Sequence, residues 1–175
     1  MSLKVSVVIP LFNKGPHIAR AINSVLGQTL KDFEIIVMDG NSRDEGPEIV
    51  KNYPDPRIHF SVQRGSGVSV ARNQGVEQSQ SDFITFLDAD DEWMPNHLET
   101  LFRLKQKFPA AGMYATAYQT CFRSGKRANT PFRAIPEFPC DLLLPNYFES
   151  ASLGDTPITS SSAPNRGISP TRASR

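Results

Sequence analysis

Phe83-Ile84-Thr85-Phe86-Leu87-Asp88-Ala89-Asp90-Asp91 is the stretch from which the fold can be read. It opens with an unbroken, largely apolar run, the pattern of a strand buried on both faces inside a parallel sheet. Carboxylates follow where such a strand would end, and in open α/β sheets ligands bind outside the carboxyl ends of the strands. In an extended chain Asp88 and Asp90 point the same way, roughly 7 Å apart by strand rise. That is close enough for both to serve one hard cation and its ligand, directly or through water. The plainer reading is that the acids end a strand and cap a helix beginning near Pro95. Asp-x-Asp alone does not separate the two.

Working outward, the same alternation recurs. Residues 5–10 form a β-branched strand ended by Pro10, and residues 33–39 form a second strand that again closes on an acid, Asp39. Ile58 to Val62 reads as a third strand, which makes the Phe83 run the fourth. Between them lie helical patterns: residues 17–28 with Ile18, Ile22, Val25 and Leu26 on one face, a short helix over 48–53 halted by Pro54, and a helix from Gly67 to about Gln80. Leu98, Leu101, Phe102 and Phe108 mark one more. Strand alternating with helix argues for an α/β fold, a doubly wound and mostly parallel sheet flanked by helices. The pattern decays after about residue 120. Residues 112–119 read as a fifth strand, after which Pro131, Pro136, Pro139 and Pro145 interrupt the chain. Arg123, Lys126, Arg127 and Arg133 read as a solvated basic loop, with an anionic acceptor or lipid surface as the other reading. From Thr159 onward Ser, Pro, Thr and Arg dominate, and disorder is expected. Residues 1–120 are thus expected to bind ligand, 121–158 to be irregular and 159–175 to be a tail.

Composition narrows the function. The chain has 175 residues, 39% hydrophobic and 21% charged, enough for one domain with a real core. Its net charge of +1 gives no reason to expect nucleic acid as a partner. No apolar run of about 18 residues is present, so no transmembrane segment is expected. The amino terminus has no signal-peptide pattern. Cys121 and Cys140 make neither a disulfide framework nor a metal-spaced pair, and reduced thiols in the cytoplasm are expected. His17, His59 and His97 lie too far apart in sequence for paired zinc ligands.

Three strand ends bring chemistry to one sheet edge. Pro10, Leu11, Phe12 and Asn13 leave the first, Asp39 the second, and Asp88 the fourth. An acid there can accept from a base N–H or ribose hydroxyls, with Phe12 as an apolar wall. A divalent ion at Asp90 would neutralise a pyrophosphate leaving group. The helix after Gly67 offers N–H groups and Arg72 to an anion. Each has a plainer role: Asp39 capping the next turn, Phe12 in the core, Arg72 paired with a surface acid.

These residues resemble a family. Val7-Val8-Ile9-Pro10-Leu11-Phe12-Asn13 and Glu34-Ile35-Ile36-Val37-Met38-Asp39-Gly40-Asn41-Ser42-Arg43-Asp44 are similar to the opening of family 2 glycosyltransferases. Ala71-Arg72-Asn73-Gln74-Gly75 and Phe86-Leu87-Asp88-Ala89-Asp90-Asp91 are similar to its next two signatures, in the same order and spacing, over about residues 4–120. The resemblance implies a GT-A fold and inverting transfer of a sugar from a nucleotide-diphosphosugar, a UDP-sugar above all, to a glycan or lipid-linked acceptor. It implies that Pro10 to Phe12 line the nucleobase, that Asp39 bonds its imide, and that Arg72 reaches the nucleotide. Asn13, Asn41 and Ala89 fall within the same binding signatures. Asp88 would lie near the ribose and sugar, and Asp90, with Asp88, would hold Mn²⁺ or Mg²⁺. A cytoplasmic setting follows, with peripheral contact at the inner face of the membrane.

The sequence departs from the family pattern at three places. Phe12 stands where Tyr is common, and Gly40 where a second acid is common. The family's catalytic base is an acid, often in a Glu-Asp pair, in a second half that shapes the acceptor site. Beyond Arg133 only Glu137, Asp141, Glu149 and Asp155 occur, none paired. The expectation is therefore a donor-binding half whose acceptor half is missing, the chain being truncated or its last dozen residues coming from a shifted reading frame, with the base beyond this chain. Two further readings stand beside it. One is a non-catalytic nucleotide-sugar-binding fragment. The other is a dinucleotide-binding oxidoreductase built on Gly65-Ser66-Gly67, which has Val70 in place of the third glycine and follows the third strand rather than the first. A nucleotidyltransferase should show a glycine-rich phosphate loop after the first strand, and Asn13-Lys14-Gly15-Pro16 is too short for one.

Overall fold

Two strands form the centre of the molecule because both of their faces are covered. In the computed structural model, which describes residues 3–122 and 126–129 and the backbone of 151–153, β1 (Val5–Leu11) runs parallel to β2 (Phe33–Asp39) from Val5 opposite Phe33 to Leu11 opposite Asp39. Strand β3 (Ile58–Val62) adds to β2 and β4 (Ile84–Phe86) to β1, giving an all-parallel sheet of order β3-β2-β1-β4. The alternate residues Val5, Val7, Ile9, Ile35 and Val37 pack with α1 (Gly15–Leu26), α2 (Gly46–Lys51) and α4 (His97–Lys107) through Ile18, Ile22, Val50 and Leu98. Val8, Ile36 and Met38 face α3 (Val68–Gln78) through Ala71. The approach of α3 is tight: a Cβ on Gly75 would lie 2.3 Å from Val8 Cγ1. Two-sided burial is why β1 and β2 read as continuous apolar runs.

The Phe83 run is the exception. Only Ile84–Phe86 pairs with β1, each residue half-buried, because β4 is the edge of this sheet and β1 and β2 take its centre. Hydrogen bonds from Ser6 N–H to Phe83 O and from Leu87 N–H to Val8 O extend the contact on either side. The chain is not extended through the acids either. Asp91 N–H bonds Asp88 O at 3.0 Å, closing a turn that hands the chain directly to β5 (Asp91–Glu92). The helix after it starts at His97 rather than at Pro95.

Residues 112–118 form no strand. Thr116 is buried and its hydroxyl lies 3.2 Å from His97 Nδ1, while Met113 is exposed. A strand follows at β6 (Gln119–Cys121), antiparallel to β7 (Arg127–Asn129) and parallel to β8 (Ala151–Leu153), which meets β5. The acid turn therefore joins two sheets, the second of order β5-β8-β6-β7. Lys126 and Arg127 are exposed. Arg123, Arg133, the interrupting prolines and the expected tail lie outside the described residues. Among the described residues no helix is long and apolar enough to cross a membrane.

Candidate functional site

The order β3-β2-β1-β4 reverses direction at β1, so the crevice for a ligand falls at the carboxyl ends of β1 and β4. Its walls are the loops after β1 and β2, and side chains lace these together. Asn13 N–H bonds Ser42 Oγ at 3.0 Å, Arg43 N–H bonds Asn13 Oδ1 at 2.8 Å, and Gly40 N–H bonds Leu11 O at 2.7 Å. Asn13 and Asn41 sit at φ 50° and 64°, left-handed positions that asparagine tolerates better than most residues. Lys14, at the amino end of α1, makes no side-chain cap. Asp44 supplies one from the neighbouring loop, accepting from Gly15 N–H at 2.7 Å and Gly46 N–H at 3.1 Å, where an acid also suits the helix dipole.

Asp39 is 3% exposed, and both its oxygens lie within 3.3 Å of Ser42 N–H. It does cap the following turn. It also borders a cleft of about 360 Å³ lined by Asn41, Arg43, Lys51, Phe60 and Val62. Phe12 is not core, with 60% of its surface exposed. A Cβ on Gly40 would come within 3.3 Å of the Phe12 ring, so a larger residue at 40 would press on that wall. Leu11 and Ala89 are 1% and 2% exposed, so they can offer a ligand backbone groups alone, and Pro10 is partly covered.

The acid turn is held by cations from two helices. Arg72 on α3 donates from a terminal guanidinium nitrogen to Asp88 Oδ1 at 2.7 Å, with side chains 17% and 20% exposed. Lys14 Nζ donates to Asp90 Oδ2 at 2.6 Å. Arg20, in the second turn of α1, donates to the Asp90 carbonyl at 2.6 Å and stands 3.2 Å from Glu92 Oε2. Asp88 and Asp90 are thus brought to one turn but to different cationic partners. Each keeps a second oxygen without a hydrogen bond among the described residues. Two carboxylates are the donor chemistry of a hard divalent ion, which commonly takes one or two carboxylates plus substrate phosphates. Among the described residues no group of three or more His, Cys, Asp or Glu assembles.

Beneath the turn lies a support that the sequence did not announce. Gln28, fully buried, donates to Ser24 O at 2.9 Å and Met94 O at 2.7 Å and accepts from Leu98 N–H at 2.9 Å. It ties α1 to the segment after the acids and to the start of α4. His97 is 6% exposed and stacks on Trp93 at 4.3 Å, and burial lowers its pKa to about 3. Lys14, Arg20, Ser42 and Asp44 were also unanticipated. Ser42 and Asp44 stand inside the 34–44 motif with no role attached to them there, and Lys14 directly follows Asn13.

A family profile described as "Glycosyl transferase family 2" matches residues 6–167, well past the 4–120 over which the motifs are visible. The chain is 39% identical over 103 residues to "Uncharacterized glycosyltransferase YibD" of Escherichia coli K12, covering 58% of this chain and 30% of that protein. It is 38% identical over 104 residues to the "GalNAc(5)-diNAcBac-PP-undecaprenol beta-1,3-glucosyltransferase" of Campylobacter jejuni, covering 57% and 34%. Among solved structures, Staphylococcus aureus TarS 1-349 in complex with UDP-GlcNAc superposes with a TM-score of 0.52 at 24% identity, over 68% of this chain and 34% of that one. The chain thus spans about a third of the length of these relatives.

Proposed function

The chain belongs to glycosyltransferase family 2 and has the GT-A-type α/β fold, and on that premise we propose that it binds a nucleotide-diphosphosugar, a UDP-sugar in particular, at the carboxyl edge of its parallel sheet. The observation that carries this is convergence. Asp39 ends β2 on one side of β1 and Asp88 and Asp90 follow β4 on the other, so the three acids share one sheet edge, with Arg72 from α3 paired to Asp88 and exposed Phe12 just after β1. In this reading the uracil lies against Phe12 with its imide toward Asp39, Arg72 faces the nucleotide, and Asp88 faces the ribose and sugar. Asp90, with Asp88, holds Mn²⁺ or Mg²⁺. The ion supplies charge neutralisation of the departing diphosphate. The protein's own part is to fix the donor between laced loops and orient its anomeric carbon for displacement by a glycan or lipid-linked hydroxyl. The relative that binds UDP-GlcNAc supports the donor class, and the undecaprenol-linked substrate of the Campylobacter enzyme supports the acceptor class.

Inverting displacement needs a base for the acceptor proton. Among the described residues of the edge, Asp39, Asp44, Asp88 and Asp90 are each already held by a donor. That favours a second reading for this chain, donor binding without transfer. Gly65-Ser66-Gly67 does not support an oxidoreductase: it follows β3, and α1 begins directly after Lys14 with no glycine loop at the first crossover.

Calorimetric titration of UDP with and without Mn²⁺ tests the site. Mn²⁺-dependent binding that Asp90→Asn abolishes is expected, and no binding by a chain shown to be folded overturns the proposal. Release of UDP from a bound UDP-sugar only when acceptor is added separates transfer from binding alone.

A further inference from the structure

Lys14 has no part in the function proposed so far, yet it makes one of the shortest ion pairs at the edge. Its ammonium lies 2.6 Å from Asp90 Oδ2 and reaches across the β1–β4 crevice to do so. The backbone on either side of Lys14 is pinned, by Ser42 at Asn13 N–H and by Asp44 at Gly15 N–H. The Asp90 backbone is pinned separately, by Arg20 at its carbonyl. The Asp90 side chain can therefore change partners without the turn losing its place.

The other pair of this turn differs in kind. Arg72 and Asp88 are 17% and 20% exposed, joined through a planar guanidinium that stays charged. Lys14 is 43% exposed, against 17% for Asp90, and carries a compact, strongly hydrated ammonium on a flexible stem. Of the two cations, Lys14 is the one that water can readily take back.

We propose that Lys14 is an exchangeable counter-cation of Asp90, holding the carboxylate until a divalent ion takes its place. This rests on reading Asp90 as a metal ligand. An ammonium and a divalent ion on one carboxylate stand a few ångströms apart and repel, so the lysine lowers the intrinsic metal affinity of the turn. In return the acids are never left as uncompensated neighbours. Once displaced, the ammonium lies at the same crevice as the donor's diphosphate and is a cation of the right sign for it. The cost to metal binding is thereby matched to the arrival of the nucleotide rather than imposed on the complete complex.

The test is Mn²⁺ binding to the full chain without nucleotide, read from loss of the free-ion electron paramagnetic resonance signal. Wild type, Lys14→Met, Lys14→Arg and Asp90→Asn are compared, with Trp93 fluorescence confirming that each is folded. Removing one nearby positive charge is expected to tighten Mn²⁺ binding by about tenfold in Lys14→Met. Lys14→Arg, which keeps the charge, should not gain affinity, and Asp90→Asn should lose binding. Equal or weaker binding by Lys14→Met, with Asp90 still required, overturns the exchange while leaving the metal site standing. Binding that ignores Asp90→Asn, or is absent from both wild type and Lys14→Met, overturns the exchange together with the metal reading it rests on.

Discussion

At the amino end of the sheet Glu34 is 3% exposed, and its Oε1 accepts from Ser6 Oγ at 2.5 Å and Gln80 N–H at 2.7 Å. At the carboxyl end Asp88 and Asp90 keep 20% and 17% of their side-chain surface and hold Arg72 and Lys14. The partners tell the two ends apart. Glu34 Oε1 is bonded to a hydroxyl and a backbone amide, with His59 Nε2 3.6 Å from its other oxygen, and Ser6 Oγ in turn accepts from Ser81 N–H at 3.1 Å. A group so placed is fastened for the sake of the fold. The carboxylates at the other end are matched to cations, which another cation from solvent can replace. Both ends carry carboxylates, and what the carboxyl is paired with decides whether it is structure or site.

The largest effect expected from this division is at Glu34. Glu34→Ala leaves the Ser6 hydroxyl and the Gln80 N–H buried without their acceptor and opens a hole between β1 and β2. Unfolding in urea should show a loss of roughly 3 kcal/mol, with UDP affinity of the folded protein unchanged. Glu34→Gln, which keeps an acceptor oxygen, should recover most of it. If Glu34→Ala instead weakened UDP binding and left stability alone, the two ends would not divide as described.

A second, smaller effect belongs to a titratable group at neither edge. His97 has a folded pKa of about 3, lowered by burial, against an ordinary value of 6.5. The unfolded chain therefore binds a proton that the folded chain refuses between those values. Stability from this group is fully present above pH 6.5 and is lost as pH falls toward 3. At pH 5 the loss is about 2 kcal/mol relative to pH 7.5. Urea unfolding at the two pH values should show it in wild type and not in His97→Gln. An equal pH dependence in both would assign the acid sensitivity to other groups.

How much of this was visible in the sequence follows from which interactions are local. Strands β1 and β2 were legible because two-sided burial writes an unbroken apolar run, and the helices because one covered face repeats at helical spacing. Their ends moved by a few residues: α1 starts at Gly15, two before the expected 17, since Asp44 caps it from another loop. Asp39, Asp88 and Asp90 stood out because each closes a strand-like run. The turn at 88–91 did not, since extension or turning after β4 depends on β5 pairing with residues 151–153. Lys14 was invisible for a like reason. A lone lysine after a strand carries no pattern, and its partner is 76 positions away. Gln28 was hidden by its polarity, which reads as a solvent-facing helix end, whereas all its hydrogen bonds are satisfied inside.

The smallest expected effect sharpens the comparison most, because it should appear in binding and nowhere else. Phe12 is 60% exposed, so Phe12→Ala removes little buried surface, and its stability should stay within about 0.5 kcal/mol of wild type. A base stacked on that ring should lose about 1 kcal/mol or slightly more, a five- to tenfold drop in UDP affinity with Mn²⁺ present. Phe12→Tyr keeps the ring and should bind as wild type does. Calorimetry and urea unfolding on the same preparations give both numbers. A drop in stability without one in affinity would place Phe12 with Glu34, among residues that serve the fold, and would move the nucleobase away from this wall. A drop in affinity alone means that an exposed aromatic at a strand end is kept for what binds to it, as the cation-matched acids beside it are.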